Sequence, residues 1–503
     1  MPDASPFTAK MHQETSLPPE ADEPVPVHRS GIHLRPDNSR VLLRPFLPGG
    51  EERAREIIGR ILASSKTDMA GGLRNVIKQF SHDHLDVGTL FTKRCAELRH
   101  LLPPGTELSP MQSLVIGAYF TSEYSLQSAA LFNPSIVPHP SQESVPPGAL
   151  RFVMSLRATG EGHISSIEFR EGIISADGTI AYDPVSRSVT TPSIKYPRKR
   201  KDDLVATLGD LEFDRHFIDA AFSSLDDEFS MGDLTEILRH PEHWGCAVGK
   251  SPFECEHEQK SVIDAILWAA QGDYLVEFSG SLALSERVVF PATPSEKGGI
   301  EDARFVLFHE DDGGHRYYAT YTAFDGTNIL PQLIETENFL RFRLRPLHGP
   351  AARDKGMALF PRKIGGKYVM LGRQGGVNVS IMFSDSIHRW SEHETLLEPR
   401  EPWEYIQMGN CGSPLETEAG WLVLTHGVGA VRNYCIGAVL LDLDDPRKVI
   451  GRLRNPLLEP LEHERDGYVP NVVYSCGSVI HNGWLVLPYA VSDYATTNAV
   501  IRL

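Results

Sequence analysis

The spacing of apolar residues changes period along the chain, and each change marks a different kind of layer. Over residues 51–64, Ile57, Ile58, Ile61 and Leu62 fall on one helical stripe. Further helices are predicted over 73–80 and 87–102, the second stopped by Pro103-Pro104-Gly105. Ser109, with Pro110 in the first turn and Gln112 completing an S-x-x-Q box, opens a helix predicted to run to about Leu131, before Asn133-Pro134. One short strand at Val41-Leu42-Leu43 precedes these. Residues 31–132 thus read as an N-terminal helical region, and whether it caps a site or forms a homo-oligomer contact stays open.

Beyond Pro134 the period shortens to that of strands. Segments 149–157 and 163–169 form a hairpin-like pair, followed by a turn at Asp177-Gly178. Comparable openings recur at 317–322, 367–371, 420–424 and 483–487, the later ones spaced roughly 50–60 residues apart, as propeller blades are. With the opening at Ala149 there are five units, which favours a mainly β, radial repeat over a double β-sandwich. A helical insertion at about 196–272 interrupts the repeat, with helices over 202–223 and 261–270. The basic run 196–201 (YPRKRK) reads as a solvated loop.

Charge and cysteine usage narrow the function classes. A formal net charge of -17 over 503 residues argues against nucleic acid or an anionic membrane as main partner, so any bound anion must be drawn by a local cation cluster. No apolar run is long enough to span a membrane. The six cysteines show no C-x-x-C metal spacing and, with no secretory signal, read as reduced thiols in a cytoplasmic protein. Residues 1–30, rich in Pro, Glu and Ser, read as a disordered tail.

Chemistry concentrates at Gly298-Gly299-Ile300-Glu301-Asp302-Ala303-Arg304, where a two-glycine turn and three charges precede an apolar strand. A partly desolvated carboxyl beside an arginine is a candidate general acid, although the same residues also suit an ion pair that staples a turn. Other units offer polar residues at loop ends: Arg157, Lys355, Arg373, His426 and Asp493. Converging on one acid, the basic members would form an anion pocket. His, Cys and Asp nowhere gather at metal-ligand spacing.

Taken in order, the motifs at 299–304 (GIEDAR), 355–361 (KGMALFP), 384–390 (SDSIHRW), 412–417 (GSPLET), Gly420-Trp421, His426-Gly427, 437–443 (GAVLLDL) and 467–473 (GYVPNVV) resemble those of glycoside hydrolase family 130, over roughly 133–503. That family comprises β-mannoside phosphorylases and β-1,2-mannosidases. The resemblance implies a five-bladed β-propeller catalytic domain, with Asp302 as the catalytic acid acting apparently through a sugar hydroxyl. It also implies Arg157, Lys355, Arg373 and His426 as phosphate-binding, and Glu301, Arg304, Tyr321 and Asp493 among the substrate contacts. A water nucleophile needs a second carboxylate as base, whereas phosphate needs cations, so the Lys/Arg/His set favours phosphorolysis. The expected activity is inverting phosphorolysis of β-linked mannosides to α-mannose 1-phosphate, with phosphate as co-substrate and no cofactor. The alternatives are a β-mannosidase and a non-catalytic glycan-binding propeller. Ala303 stands where the family more often has Pro, and Ser384-Asp385-Ser386 shifts a carboxylate by one position, which leaves linkage and sugar open.

Overall fold

The structure, a computed structural model, describes residues 20–21, 25–31, 33–84, 86–209, 215–246 and 251–503. It is mainly β, with helices confined to the N-terminal region and the insertion. From residue 130 onward the strands fall into five antiparallel runs, and each predicted repeat opening lies in its own run. The first comprises Ala130–Pro138, Leu150–Thr159 and Ser165–Ile174, edged by Ile180–Tyr182 and Val288–Val289. The second runs Gly299–His309, His315–Phe324, Ile329–Thr336 and Arg341–Pro346, extended by Tyr274–Glu277 and Ser193–Lys195. A single parallel bridge, Gly299 to Ser165, joins these two into one sheet.

The third run is Ala358–Leu359, Tyr368–Gly372, Val379–Ser384 and Glu394–Leu397. In the fourth, Gln407–Asn410 and Leu415–Thr417 pair with Gly420–Val428, followed by Tyr434–Leu441 and Val449–Leu453. In the fifth, Val473–Tyr474 and Val479–His481 flank Trp484–Val491, which pairs with Ala495–Arg502. The last run returns to the first: the Cys476 N–H donates to the Pro134 carbonyl, and Val479 and Val486 pack with Leu131, Ile136 and Met154.

Several expectations are corrected. The S-x-x-Q box at Ser109 forms, but its helix ends at Tyr119, and 121–125 is a strand paired with Val41–Pro45. The Thr121-Ser122 pair, hydrogen-bonded across to Arg44 and Pro45, takes the backbone out of the helix there. Asn133-Pro134 therefore interrupts a strand instead of ending a helix. Of the proposed tail, residues 1–19 and 22–24 lie outside the described residues. Glu20–Ala21 and His28–Arg29 are short edge strands, the latter held where Arg29 meets Glu464 and Val27 packs on the last run. In the insertion, Lys199–Arg200 pairs with Glu228–Phe229 and Lys199 is buried, so the basic run is no solvated loop. Asp273 draws that ammonium inward. Cys246 and Cys255 are disulfide-bonded, Cys246 just after Pro241–Trp244 and Cys255 in the first turn of helix Pro252–Gly272, with their Cα atoms 5.7 Å apart. This removes the reduced-thiol argument for a cytoplasmic location; the other four cysteines are buried thiols. Among the described residues, no helix is long and apolar enough to cross a membrane.

The N-terminal helices Gly50–Ala63, Lys66–Phe80, Val87–Glu97 and Pro110–Tyr119 share one core, and the insertion has another. A buried charge cluster ties the N-terminal region to the first run. Arg40 donates from Nη2 to Glu168 (2.8 Å) and to the Ser285 carbonyl (2.6 Å), while Gln127 donates to both Glu168 oxygens and Arg170 to one. Burial pushes the Glu168 carboxyl up, but Arg40, Arg170 and Gln127 outweigh it, so it titrates below its ordinary 4.5. The cluster's contribution is therefore present above that value and lost as acidification passes through the lower folded one. Arg40→Met is expected to destabilise by about 3–5 kcal/mol, because it leaves a buried carboxylate short of a partner. Chemical denaturation checks this, and an unchanged midpoint would mean that Arg170 and Gln127 suffice alone.

Candidate active site

Two β-bulges face one another at the start of the second run. Across the pairing of Gly299–His309 with His315–Phe324, Asp302 and Ala303 together oppose Tyr321, between the Glu301–Thr322 and Arg304–Thr320 pairs. Asp302 takes a left-handed backbone with φ 54°, which aspartate tolerates better than most residues. In the first run, Asn133 and Pro134 form the matching irregularity, and Asn133 has φ 50°. The extra residue in each strand turns its side chain out of the pleat. Asn133 Nδ2 then donates to Asp302 Oδ1 at 2.7 Å.

Charged groups close around this pair. Arg157 donates from Nη1 to Asp302 Oδ1 (3.3 Å) and from Nη2 to Glu301 Oε1 (2.8 Å). Lys355 Nζ donates to the other Glu301 oxygen at 2.6 Å. Arg304 reaches Asn410, donating to its side-chain oxygen (2.6 Å) and its carbonyl (3.1 Å), and also bonds the Tyr474 hydroxyl. Asn410 Nδ2 in turn donates to the Gly356 carbonyl at 2.6 Å, anchoring the loop that carries Lys355. Opposite, Arg373 Nη1 lies 3.4 Å from His426 Nε2. Only glycine fits at Gly409, where any Cβ would collide with the His426 ring.

Burial pushes the Asp302 carboxyl up, yet the Arg157 charge, the Asn133 hydrogen bond, Arg304 and Lys355 together hold it below the ordinary aspartate value of 3.8. Asp493, at φ 48° in the turn between the last two strands, goes the other way. Burial and the Asp302 charge raise it to about 6, against the pull of Arg157 and Arg432. Asp302 is thus held ionised while Asp493 is poised near neutrality.

His426 departs from the expected cation. Burial, then the charges of Arg373 and Arg304, push its imidazole well below 6.5. Its Nδ1 lies 3.2 Å from the Asn410 carbonyl and must carry the proton, leaving Nε2 to accept from Arg373. Imidazole NMR is expected to show His426 neutral, as the Nδ1–H tautomer, taking up a proton only well below 6.5. A midpoint near 6.5 would contradict this packing.

The fold thus gathers Glu301, Asp302, Arg304, Arg157, Lys355, Arg373 and His426 in one linked network, with Asp493 within range of Asp302 and Arg157. Tyr321 borders the small cavity at Asp302, but its side chain turns away from the charged groups. Its ring is buried and its hydroxyl donates to Glu296 at 2.7 Å, beside Tyr274, in a separate buried cluster. Reading the sequence missed Asn133, Asn410 and Tyr474. A signal existed for the first two: Asn133-Pro134 breaks an apolar run that continues on both sides, and Asn410 sits in a Gly-Asn-Cys-Gly stretch.

A carboxylate in a strand bulge, ringed by guanidinium and ammonium groups on a mainly β scaffold, sets a proton-carrying group beside a concentration of positive charge. The chain belongs to glycoside hydrolase family 130. A profile of that family, described as beta-1,4-mannooligosaccharide phosphorylase, matches residues 281–503. A 1,2-beta-oligomannan phosphorylase of Thermoanaerobacter sp. (strain X514) is 36% identical over 44% of this chain and 74% of that protein. A beta-1,2-mannobiose phosphorylase of the same organism is 37% identical over 42% of this chain and 68% of that protein. Among solved structures, the beta-1,2-mannobiose phosphorylase of Listeria innocua, in complex with beta-1,2-mannobiose, aligns at a TM-score of 0.44 and 22% identity. It covers 75% of this chain and 90% of that one.

Proposed function

We propose that this chain is an inverting phosphorylase of β-linked mannosides, on a five-bladed propeller whose units are the five strand runs. The single observation that carries the reading is the geometry around Asp302: its carboxyl and that of Glu301 against Arg157, with Lys355, Arg304, Arg373 and a neutral His426 close by. Arg373 Nε is buried with no partner among the described residues, a donor that an oxyanion would satisfy. The return of the last run onto the first supports the radial arrangement. Two relatives named for 1,2-linked substrates make β-1,2-linked mannosides the first to test.

Arg157, Lys355 and Arg373 would hold phosphate, while both His426 nitrogens are committed, so His426 acts by positioning Arg373. A general acid must carry a proton, yet Asp302 is held ionised by the cations around it. Phosphate resolves this. Its negative charge offsets the cations that depress Asp302, raising the carboxyl's proton affinity when the nucleophile is in place. A phosphate oxygen then bonds to the anomeric carbon as the C–O bond to the leaving sugar breaks, and the Asp302 proton ends on that departing oxygen. Attack from the face opposite the leaving group gives α-mannose 1-phosphate and a shortened sugar. Phosphate is the co-substrate, and this chemistry requires no further cofactor. Glu301, bridging Arg157 and Lys355, would set their spacing. Asp493, near Asp302 and titrating near neutrality, would contact a sugar hydroxyl.

Incubating the protein with β-1,2- or β-1,4-mannobiose is expected to give mannose 1-phosphate only when phosphate is present. Equal consumption of disaccharide without phosphate would establish a hydrolase instead.

A further inference from the structure

Far along the second run from the bulge, between the helical insertion and strand Arg341–Pro346, lies a groove of 510 Å³. Six cationic side chains line it: Arg198, Lys199, Arg200, Arg343, Arg345 and Arg389. Among the described residues that line it, three carboxylates, Asp203, Glu228 and Asp273, accompany them, in a chain whose net charge is -17. None of these residues lines the small cavity at Asp302.

One of the three carboxylates is oversubscribed. Asp273 lies 3.3 Å from Lys199, 3.1 Å from Arg343 and 3.6 Å from Arg345, so it is shared by three cations, of which Arg345 also reaches Glu335 at 3.9 Å. The Lys199 ammonium is buried, and its pKa is lowered first by that burial and further by Arg343 and Arg345, although Asp273 opposes the shift. The two imidazoles here supply no negative charge. Arg345 Nη1 lies 2.9 Å from His388 Nε2, and Arg389 Nη1 lies 3.4 Å from His348 Nδ1. The guanidinium of Arg200 meets no carboxylate among the described residues. Cations crowded into a concave, partly desolvated space repel one another and focus positive potential there.

The groove is also too large for a bare oxyanion. Leu204, Ala269, Ala270 and Pro346 supply an uncharged wall, against which a sugar-sized body would pack. Forked guanidinium groups match phosphate oxygens in geometry. One wall belongs to the insertion, which precedes the residues that match the family profile. We propose that this groove is a second anion site, separate from the one at Asp302, that holds a phosphorylated small molecule of hexose-phosphate size.

The test is calorimetric titration of the full chain with mannose 6-phosphate at low salt, with inorganic phosphate and mannose as separate arms. Arg198→Glu/Arg200→Glu changes two exposed side chains, and Arg389→Gln alters the opposite wall. Each is expected to remove one binding event or weaken it at least 30-fold, with an unchanged thermal midpoint. Lys355→Met is expected to leave that event intact. Because the readout is a difference between proteins, it stands whether or not Lys355 binds phosphate. Inorganic phosphate is expected to bind the groove at least tenfold more weakly than the ester, and mannose not at all. Retention of every binding event, at unchanged affinity, by either groove variant overturns the proposal. So does an ester that binds no better than phosphate, which would mark a solvated basic surface.

Discussion

Asp302→Asn is expected to lower kcat for β-mannoside phosphorolysis by about 10³-fold, within the range that a positioned general acid contributes. The substitution isolates chemistry from structure. Asparagine keeps an oxygen to accept from Asn133, tolerates the left-handed backbone at φ 54°, and leaves Arg157 its 2.8 Å bond to Glu301. The thermal midpoint should therefore stay close to that of the parent. Removing a negative charge beside the anion pocket should also tighten phosphate, so its KM falls while kcat collapses. A mannoside with an aryl leaving group, which departs without a proton, should lose far less. If kcat on the disaccharide stayed within tenfold of the parent's, Asp302 would not be the acid.

How much of this was legible in the sequence depends on what sets each feature. The five strand openings could be read because period-2 alternation is local, and each run is built from neighbours in sequence. The bulges could not, because a bulge is a register shift against a partner strand; Asp302 looked like a turn residue until its pairing with Tyr321 was known. Parity explains Tyr321. Arg304 lies opposite Thr320, so Thr320 and Thr322 share its face, while Tyr321 between them faces the other way, toward Glu296. Lys199 and the Cys246–Cys255 bond were hidden for other reasons. Lys199 is buried against Asp273, a long-range contact that no local pattern encodes, whereas the cysteine bond spans only nine residues, a spacing that does not set it apart from free thiols. His426 lies beside Arg373, the residue it was grouped with, but not as a cation, since only packing against Arg373 shows that its proton is held on Nδ1.

Lys355→Met should produce the mirror image of the Asp302 variant. Methionine keeps the length of the apolar stem, so what is lost is an ammonium that now bonds Glu301 at 2.6 Å and would turn to phosphate when it arrives. Because that lysine side chain is 38% exposed, its pair with Glu301 contributes little to stability, and the thermal midpoint should hardly move. A charge-assisted hydrogen bond to a bound anion is worth about 1.5–3 kcal/mol, which predicts a phosphate KM roughly 10- to 150-fold higher. The kcat at saturating phosphate should fall much less, because Asp302 keeps its proton donor role. It need not be untouched: with Lys355 gone, one of the charges depressing Asp302 disappears, and the acid should hold its proton to somewhat higher pH. Lys355→Arg should recover part of the affinity and reverse the pH shift, since it restores the charge without the same reach. An unaltered phosphate KM in Lys355→Met would place the nucleophile elsewhere in the cleft, and the grouping of Lys355 with Arg157 and Arg373 would then be an ion-pair framework that only braces the Asp302 bulge.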